Sequence, residues 1–266
     1  MLLSLQGEEG TGKSTLAYTA PLPIIGLQFD LGADRAIYGG MWELFKDLDI
    51  CFIDNGDELK GEHDITIYNL PRAIQIADVM VGVREQWKKA QGIITKIPNS
   101  RIASLVIDTA TLARKLAADA YLQELQETEK GKARKQLIQI EYGHPNQDIA
   151  DVYSLFKGMG KNLITTHHLT DERLSMPNKD GLVESMITGK RIMEGYNKTP
   201  QLVDVIVETS VVKNKVVGEF KKCGYNLSLV GTKLDNPTWD TIVNMITMSL
   251  GGRLQLPLRN TNASTK

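Results

Sequence analysis

The chain has 266 residues, a length for one large domain or two small ones, with 42% hydrophobic and 24% charged residues, the balance of a globular protein with an ordinary core. A formal net charge of −1 excludes whole-molecule attraction to nucleic acid, so any such contact has to come from local patches. Two cysteines, Cys51 and Cys223, exclude a disulfide framework or a cysteine zinc site and fit a reduced, cytoplasmic setting. No apolar run reaches the eighteen or so residues of a membrane span, so no membrane partner is expected. The opening MLLSLQG lacks the charged start of a signal peptide and reads as a buried strand, 2–6.

Residues 7–14, GEEGTGKS, fit G-x-x-x-x-G-K-[ST]. Glycines at 7, 10 and 12 let the backbone turn tightly and approach phosphate. The main chain of Gly7, Glu8, Glu9, Gly10, Thr11, Gly12, Lys13, Ser14 and Thr15 then forms an anion nest at the start of a helix, 13–20. Lys13 can reach the β- and γ-phosphates, and the Ser14 hydroxyl can ligate Mg²⁺. The motif therefore predicts a nucleoside triphosphate, ATP with Mg²⁺, as cofactor.

A strand at 23–29 follows, then strands at 50–54 and 64–68 and a helix over 72–91, whose Trp87 reads as core. Residues 103–108, ASLVID, form a buried strand running into Asp108. A carboxylate at the C-terminal edge of a parallel strand beside the phosphate loop can hold a Mg²⁺-bound water. Helices at 110–128 and 147–159 flank a basic stretch, EKGKARK at 129–135. A strand at 162–166 ends in Thr165, Thr166, His167 and His168. Residues 169–200 show weak periodicity and read as a long loop carrying Arg173, Lys179, Lys190 and Arg191, a length that points to function. Strands over 202–208 and 216–230 and a helix after Thr238 complete the chain. Strands alternating with helices predict an α/β fold, a mostly parallel sheet flanked by helices, with late antiparallel strands. Residues 1–250 read as one core domain and 251–266 as a polar, frayed tail.

The order of these pieces resembles the RecA-like recombinase ATPases, P-loop proteins, and within them the compact phage-encoded proteins that anneal single strands. The resemblance rests on GEEGTGKST, SLVIDTAT, EYGHPNQDIADVYSLFKGMGKNLITTHH and EFKKCGYN and covers roughly residues 1–245. It implies a DNA-stimulated ATPase acting in recombination or annealing, in the cytoplasm of a bacterial host. Single-stranded DNA is the implied partner, contacted by Arg173, Lys190 and Arg191, and a single-strand DNA-binding protein is a further one. It also implies a homo-oligomer with nucleotide at the subunit interfaces, where a lysine of a late hairpin, Lys222 in preference to Lys221, reaches the neighbour's γ-phosphate. His167, with His168 as the second choice, takes the position of the γ-phosphate sensor. Gly32 stands where the family carries a catalytic glutamate, leaving Asp30, with Asp34 close by, as the water-activating carboxylate and hydrolysis slow. Two other readings remain open at this level: a small-molecule P-loop kinase with Arg173 and Arg191 in its lid, and a nucleotide-dependent loader or motor.

Overall fold

A computed structural model describes residues 1–39, 41–70, 74–76, 79–177 and 183–259. Its centre is a nine-stranded sheet of order β13-β12-β11-β1-β8-β7-β2-β4-β3. The strands are β1 (Leu2–Gly7), β2 (Ile24–Gln28), β3 (Ile50–Asp54), β4 (Ile65–Asn69), β7 (Ser104–Asp108), β8 (Asn162–His167), β11 (Val205–Val212), β12 (Lys215–Cys223) and β13 (Lys233–Asp235). From β11 across to β3 every pairing is parallel, and β12 and β13 add antiparallel strands at one edge. The expected α/β architecture with late antiparallel strands is therefore present.

Side-chain alternation divides the core between the two sheet faces. Leu2, Leu105, Ile107 and Leu163 pack beneath helices α3 (Val83–Lys96), α4 (Ala110–Gln126) and α5 (Gly143–Met159). Leu3, Leu5, Val106 and Ile164 face α1 (Lys13–Ala17), α2 (Ala33–Tyr38) and α7 (Trp239–Ser249). A sheet covered on both faces explains why these strands read as continuous apolar runs. Helix α3 buries Val83, Trp87, Ala90 and Ile94, a helical repeat, and the Trp87 indole donates to Asp148 at 2.9 Å.

The helix expected over 72–91 is corrected. Residues 74–76 and 79–81 form two short antiparallel strands, β5 and β6, and the helix starts only after Gly82, held at φ 71°. Part of the expected helix, 72–73 and 77–78, lies outside the described residues. The β-branched runs IQI and VMV favour pairing, and a left-handed Gly82 separates them from the helical repeat.

The loop expected over 169–200 is also corrected. It is a β-hairpin, β9 (Leu169–Pro177) and β10 (Val183–Met193), followed by a one-turn helix α6 (Thr199–Leu202). Lys179 falls outside the described residues. The hairpin forms a separate two-stranded sheet with Arg173, Leu174, Met186 and Ile187 exposed. Among the described residues of its outer length, 171–175 and 185–191, none is buried, so no inward-facing alternation marks them as strands.

Within the expected tail, 251–266, residues up to 259 make contacts with the core. The Trp239 indole donates to the Pro257 carbonyl at 2.7 Å, Arg259 N–H donates to Asp240 at 2.8 Å, and the Arg259 guanidinium lies 5.2 Å from the Phe45 ring centre. Residues 260–266 lie outside the described residues. Trp239→Phe keeps a smaller aromatic ring in the core but leaves the Pro257 carbonyl without its donor. The expected outcome is a loss of about 1–2 kcal/mol and faster trypsin cleavage at Arg253. Unchanged urea midpoint and cleavage rate would show that the segment is not docked.

Candidate nucleotide site

The phosphate loop begins where β1 meets β11. A Cβ at Gly7 would lie 2.4 Å from the Thr209 carbonyl oxygen, so no other residue fits there. Gly10 and Gly12 have φ of 72° and 82°, the left-handed region that glycine enters without strain. Thr11 locks the loop: its hydroxyl bonds the Glu8 carbonyl and the Thr209 hydroxyl, each at 2.8 Å. The Thr15 hydroxyl donates to the Ala36 carbonyl at 2.9 Å, tying α1 to α2. Helix α1 is only five residues long, so the loop amides and Lys13, more than a macrodipole, supply the attraction for anions.

Lys13 is buried, and its Nζ donates to the carbonyls of Gly7 at 2.9 Å and Glu8 at 2.6 Å. Burial lowers its pKa, while the carboxylates of Asp108, Glu8, Glu9 and Asp30 oppose that fall. Asp108 is fully buried at the end of β7, and Thr166 of β8 donates to its Oδ1 at 2.6 Å. Its Oδ2 has no hydrogen-bond partner. Burial and then the nearby Asp30 push its pKa up to about 6, against the opposing pull of the Thr166 and Ser14 hydroxyls and Lys13. A dry carboxylate with a vacant oxygen beside a serine hydroxyl fits a hydrated divalent cation. Among the described residues no group of three His, Cys, Asp or Glu could cage a metal by itself. Ser14 and Asp108 would instead hold it in concert with phosphate oxygens and water.

One cavity of about 1000 Å³ contains this site. Glu9 to Thr15 line one wall, Asp30, Gly32 and Arg35 another, and α4 with His168, Glu194 and Gly195 the third. Asp30 faces the cavity, accepting from Gly32 N–H at 3.3 Å, whereas Asp34 does not line it. Glu194, an exposed carboxylate brought in by the end of β10, was not anticipated; the irregular sequence around it gave no signal.

Strand parity sets which residues at the end of β8 face the phosphate loop. Thr166 shares the phosphate face with Asp108, so Thr165 and His167 point to the opposite face. His167 is buried there, with Nδ1 3.0 Å from the Glu194 carbonyl and Nε2 3.2 Å from the Thr165 hydroxyl. Burial lowers its pKa to about 4, so it is neutral at ordinary pH. His167 does not line the cavity; His168 does, and its Nε2 is buried without a partner.

In this structure Lys222 donates to the carbonyls of Pro200 at 2.7 Å and Val203 at 2.6 Å within its own chain. Lys221 pairs with Glu219 and Glu208. The β11–β12 hairpin turns at Lys213 and Asn214, both with positive φ, so its exposed tip carries Lys213 and Lys215. Of the three residues expected to meet DNA, Arg173 is exposed on β9, and Lys190 lies 3.6 Å from Glu172. Arg191 turns back to the phosphate loop, 3.0 Å from Glu8, and also contacts Asp171. In the basic stretch 129–135, Arg134 pairs with Glu141, and Lys132 with Glu129.

The raised pKa of Asp108 has a measurable consequence. A folded-state pKa above the unfolded one favours folding below about pH 4, and that contribution is lost as pH rises through about 6. It amounts to about 3 kcal/mol for a rise from the ordinary aspartate value. Without nucleotide or metal, Asp108→Asn should gain stability relative to the original chain between pH 4 and pH 7, by up to about 3 kcal/mol. Parallel urea stability curves for the two across that range would refute the assignment.

Residues 2–234 match the family model described as AAA domain. No curated protein sequence matches the chain. Among solved structures, a KaiC-like protein from the hyperthermophilic archaeon Pyrococcus horikoshii OT3 is 12% identical with a TM-score of 0.43, over 88% of this chain and 83% of that one. The RadB recombinase is 9% identical with a TM-score of 0.41, over 88% and 85%. Since the family model spans most of the sequence, the chain belongs to the AAA domain family.

Proposed function

We propose that this chain is a RecA-like, ATP- and Mg²⁺-dependent ATPase that binds single-stranded DNA in recombination or annealing, with the β9–β10 hairpin as the DNA-responsive element. The observation that carries the reading is the ion pair between Arg191 of β10 and Glu8 of the phosphate loop. Both side chains are about half exposed, so the pair is worth no more than about 1 kcal/mol. A triphosphate arriving in the loop would compete with Glu8 for the guanidinium, and a bidentate phosphate contact is the stronger one. Nucleotide state would then bias the position of a hairpin that has few other ties to the body.

In this reading Lys13 leaves the loop carbonyls for the β- and γ-phosphates, and Ser14 and Asp108 hold Mg²⁺. Asp30 orients the attacking water from an exposed position, which fits slow turnover. His168, with its vacant Nε2 on the cavity wall, takes the sensing role. Arg173 and Lys190 offer DNA-facing charge. ATPase rate measured with and without single-stranded DNA tests the whole. Stimulation is expected, and Lys13→Ala should abolish turnover in a chain that stays folded. Phosphate transfer to a metabolite, with no effect of DNA, would support a small-molecule kinase instead.

The late hairpin supports a shared site between copies of the chain, with Lys213 and Lys215 at its tip reaching the neighbour's γ-phosphate. Turnover per subunit should rise with protein concentration. Lys213→Ala/Lys215→Ala subunits, mixed with Lys13→Ala subunits, should recover activity that neither has alone. Flat turnover from dilute protein upward, with no recovery on mixing, would rule out the shared site.

A further inference from the structure

The nucleotide cavity is larger than a phosphate tail requires. At about 1000 Å³ it stands at the upper end of small-molecule sites, and the phosphate loop occupies one wall. The α4 wall presents Arg114 and Lys115, roughly 6–8 Å along the helix from its start at Ala110. Neither belongs to the phosphate loop or the metal position.

Arg114 is held in place. Its Nε donates to Asn146 of α5 at 2.9 Å, and its guanidinium carbon lies 5.4 Å from the centre of the Tyr142 ring. An arginine fixed through Nε and laid on an aromatic ring keeps its terminal nitrogens as a pre-set fork for phosphate oxygens. Lys115 is exposed beside it. Asp119, one turn further on the same wall, has an interaction of its own.

The surroundings favour a strand. Tyr142 ends the short 3-10 turn Gln139–Tyr142, and Arg134 pairs with Glu141 next to it. That pair ties the basic stretch to the turn that ends at the cavity-lining Tyr142, with Lys130 exposed on it. Ile138 and Ile140, 54% and 82% exposed, add apolar surface on the same route. Exposed Lys115 and Lys130, with exposed apolar groups and the Tyr142 ring, suit a chain of phosphates carrying bases.

We propose that Arg114 and Lys115, on the Tyr142 platform, form a second phosphate site in the nucleotide cleft, and that it takes a backbone phosphate of single-stranded DNA. This rests on the single-strand-binding reading above and adds to it: strand and nucleotide share one cavity, with β10 and His168 between them. A phosphate monoester of a free metabolite has the same chemistry, and the experiment separates the two sources.

The full chain is titrated with fluorescein-labelled oligo-dT over a range of salt, alongside a fluorescent ATP analogue. Lys115→Gln removes one exposed charge without touching the core. It should weaken oligo-dT binding and lower the salt slope by about 0.7, and Arg114→Gln/Lys115→Gln by about 1.4. Arg114→Lys should keep the slope but lose affinity, since the charge remains and the fork does not. ATP-analogue affinity should stay within about twofold in every variant. If the original chain binds oligo-dT and the double variant binds it with unchanged affinity and slope, the proposal is wrong. If the original chain does not bind oligo-dT, the single-strand reading fails, and inorganic phosphate decides the site. A phosphate-dependent rise in melting temperature in Lys13→Ala, lost in Lys13→Ala/Arg114→Gln/Lys115→Gln, would keep the site with a free phosphate ester as its ligand. No rise in either would overturn it.

Discussion

The seam between β1 and β11 sets the position of everything else in the site. The chain at Gly7 runs so close to the Thr209 carbonyl that even a methyl group would collide with it. The strand has to end there, and the next residues must turn through left-handed conformations that Gly10 and Gly12 allow. Thr11, bonded to Thr209, fixes the turn to the same neighbour. Val216 of β12 packs over Gly12, where an added Cβ would approach it to 3.1 Å. The phosphate loop is therefore shaped by two strands that lie some two hundred residues further along the chain, and the late antiparallel edge is part of the nucleotide site.

The charges of the site make sense as a set that awaits a polyanion and a cation together. Lys13 is buried against loop carbonyls, which hold an ammonium less well than phosphate oxygens would. Asp108 is buried with one oxygen unpartnered and its pKa raised. Each group by itself carries a desolvation cost, and each would be relieved by the ligand that the other's neighbours attract. Such an arrangement gives away stability in the empty protein in exchange for binding strength, as sites with perturbed titrations commonly do.

The sequence showed the parts whose chemistry is local. Gly7, Gly10, Gly12 and Lys13 form a pattern readable from spacing, and SLVID is a buried strand ending in an acid. What it concealed depends on geometry between elements. The hairpin over 169–193 carries charged and apolar residues on two exposed faces, so no periodicity distinguishes it from a loop. The short strands before Gly82 are too brief to outweigh the helical repeat that follows them. The tip of the late hairpin was not legible in EFKKCGYN: the turn lies further back, at Lys213–Asn214, where two positive-φ residues make the hairpin. His167 and His168 differ only in parity. One residue of register along β8 moves a side chain from one sheet face to the other, and register is fixed by β1 and β7, not by the local sequence.

That parity gives His167 a different part to play. At a pKa of about 4 the ring is neutral, and its Nδ1 lies against a carbonyl, which can only accept. Nδ1 therefore carries the proton and donates to Glu194, while Nε2 faces the Thr165 hydroxyl, itself 3.3 Å from Tyr153 of α5. The Thr111 hydroxyl of α4 donates to the same Glu194 carbonyl at 3.1 Å and accepts from His168 N–H at 3.2 Å. The end of β10 is thus moored to the core at the Glu194 backbone, while Arg191, three residues earlier, reaches the exposed surface of the phosphate loop. A buried, neutral anchor at one point and a weak, exposed ion pair nearby are the two requirements of a hinge. On the function proposed above, phosphate in the loop would release the second without disturbing the first, and the hairpin would turn about its root.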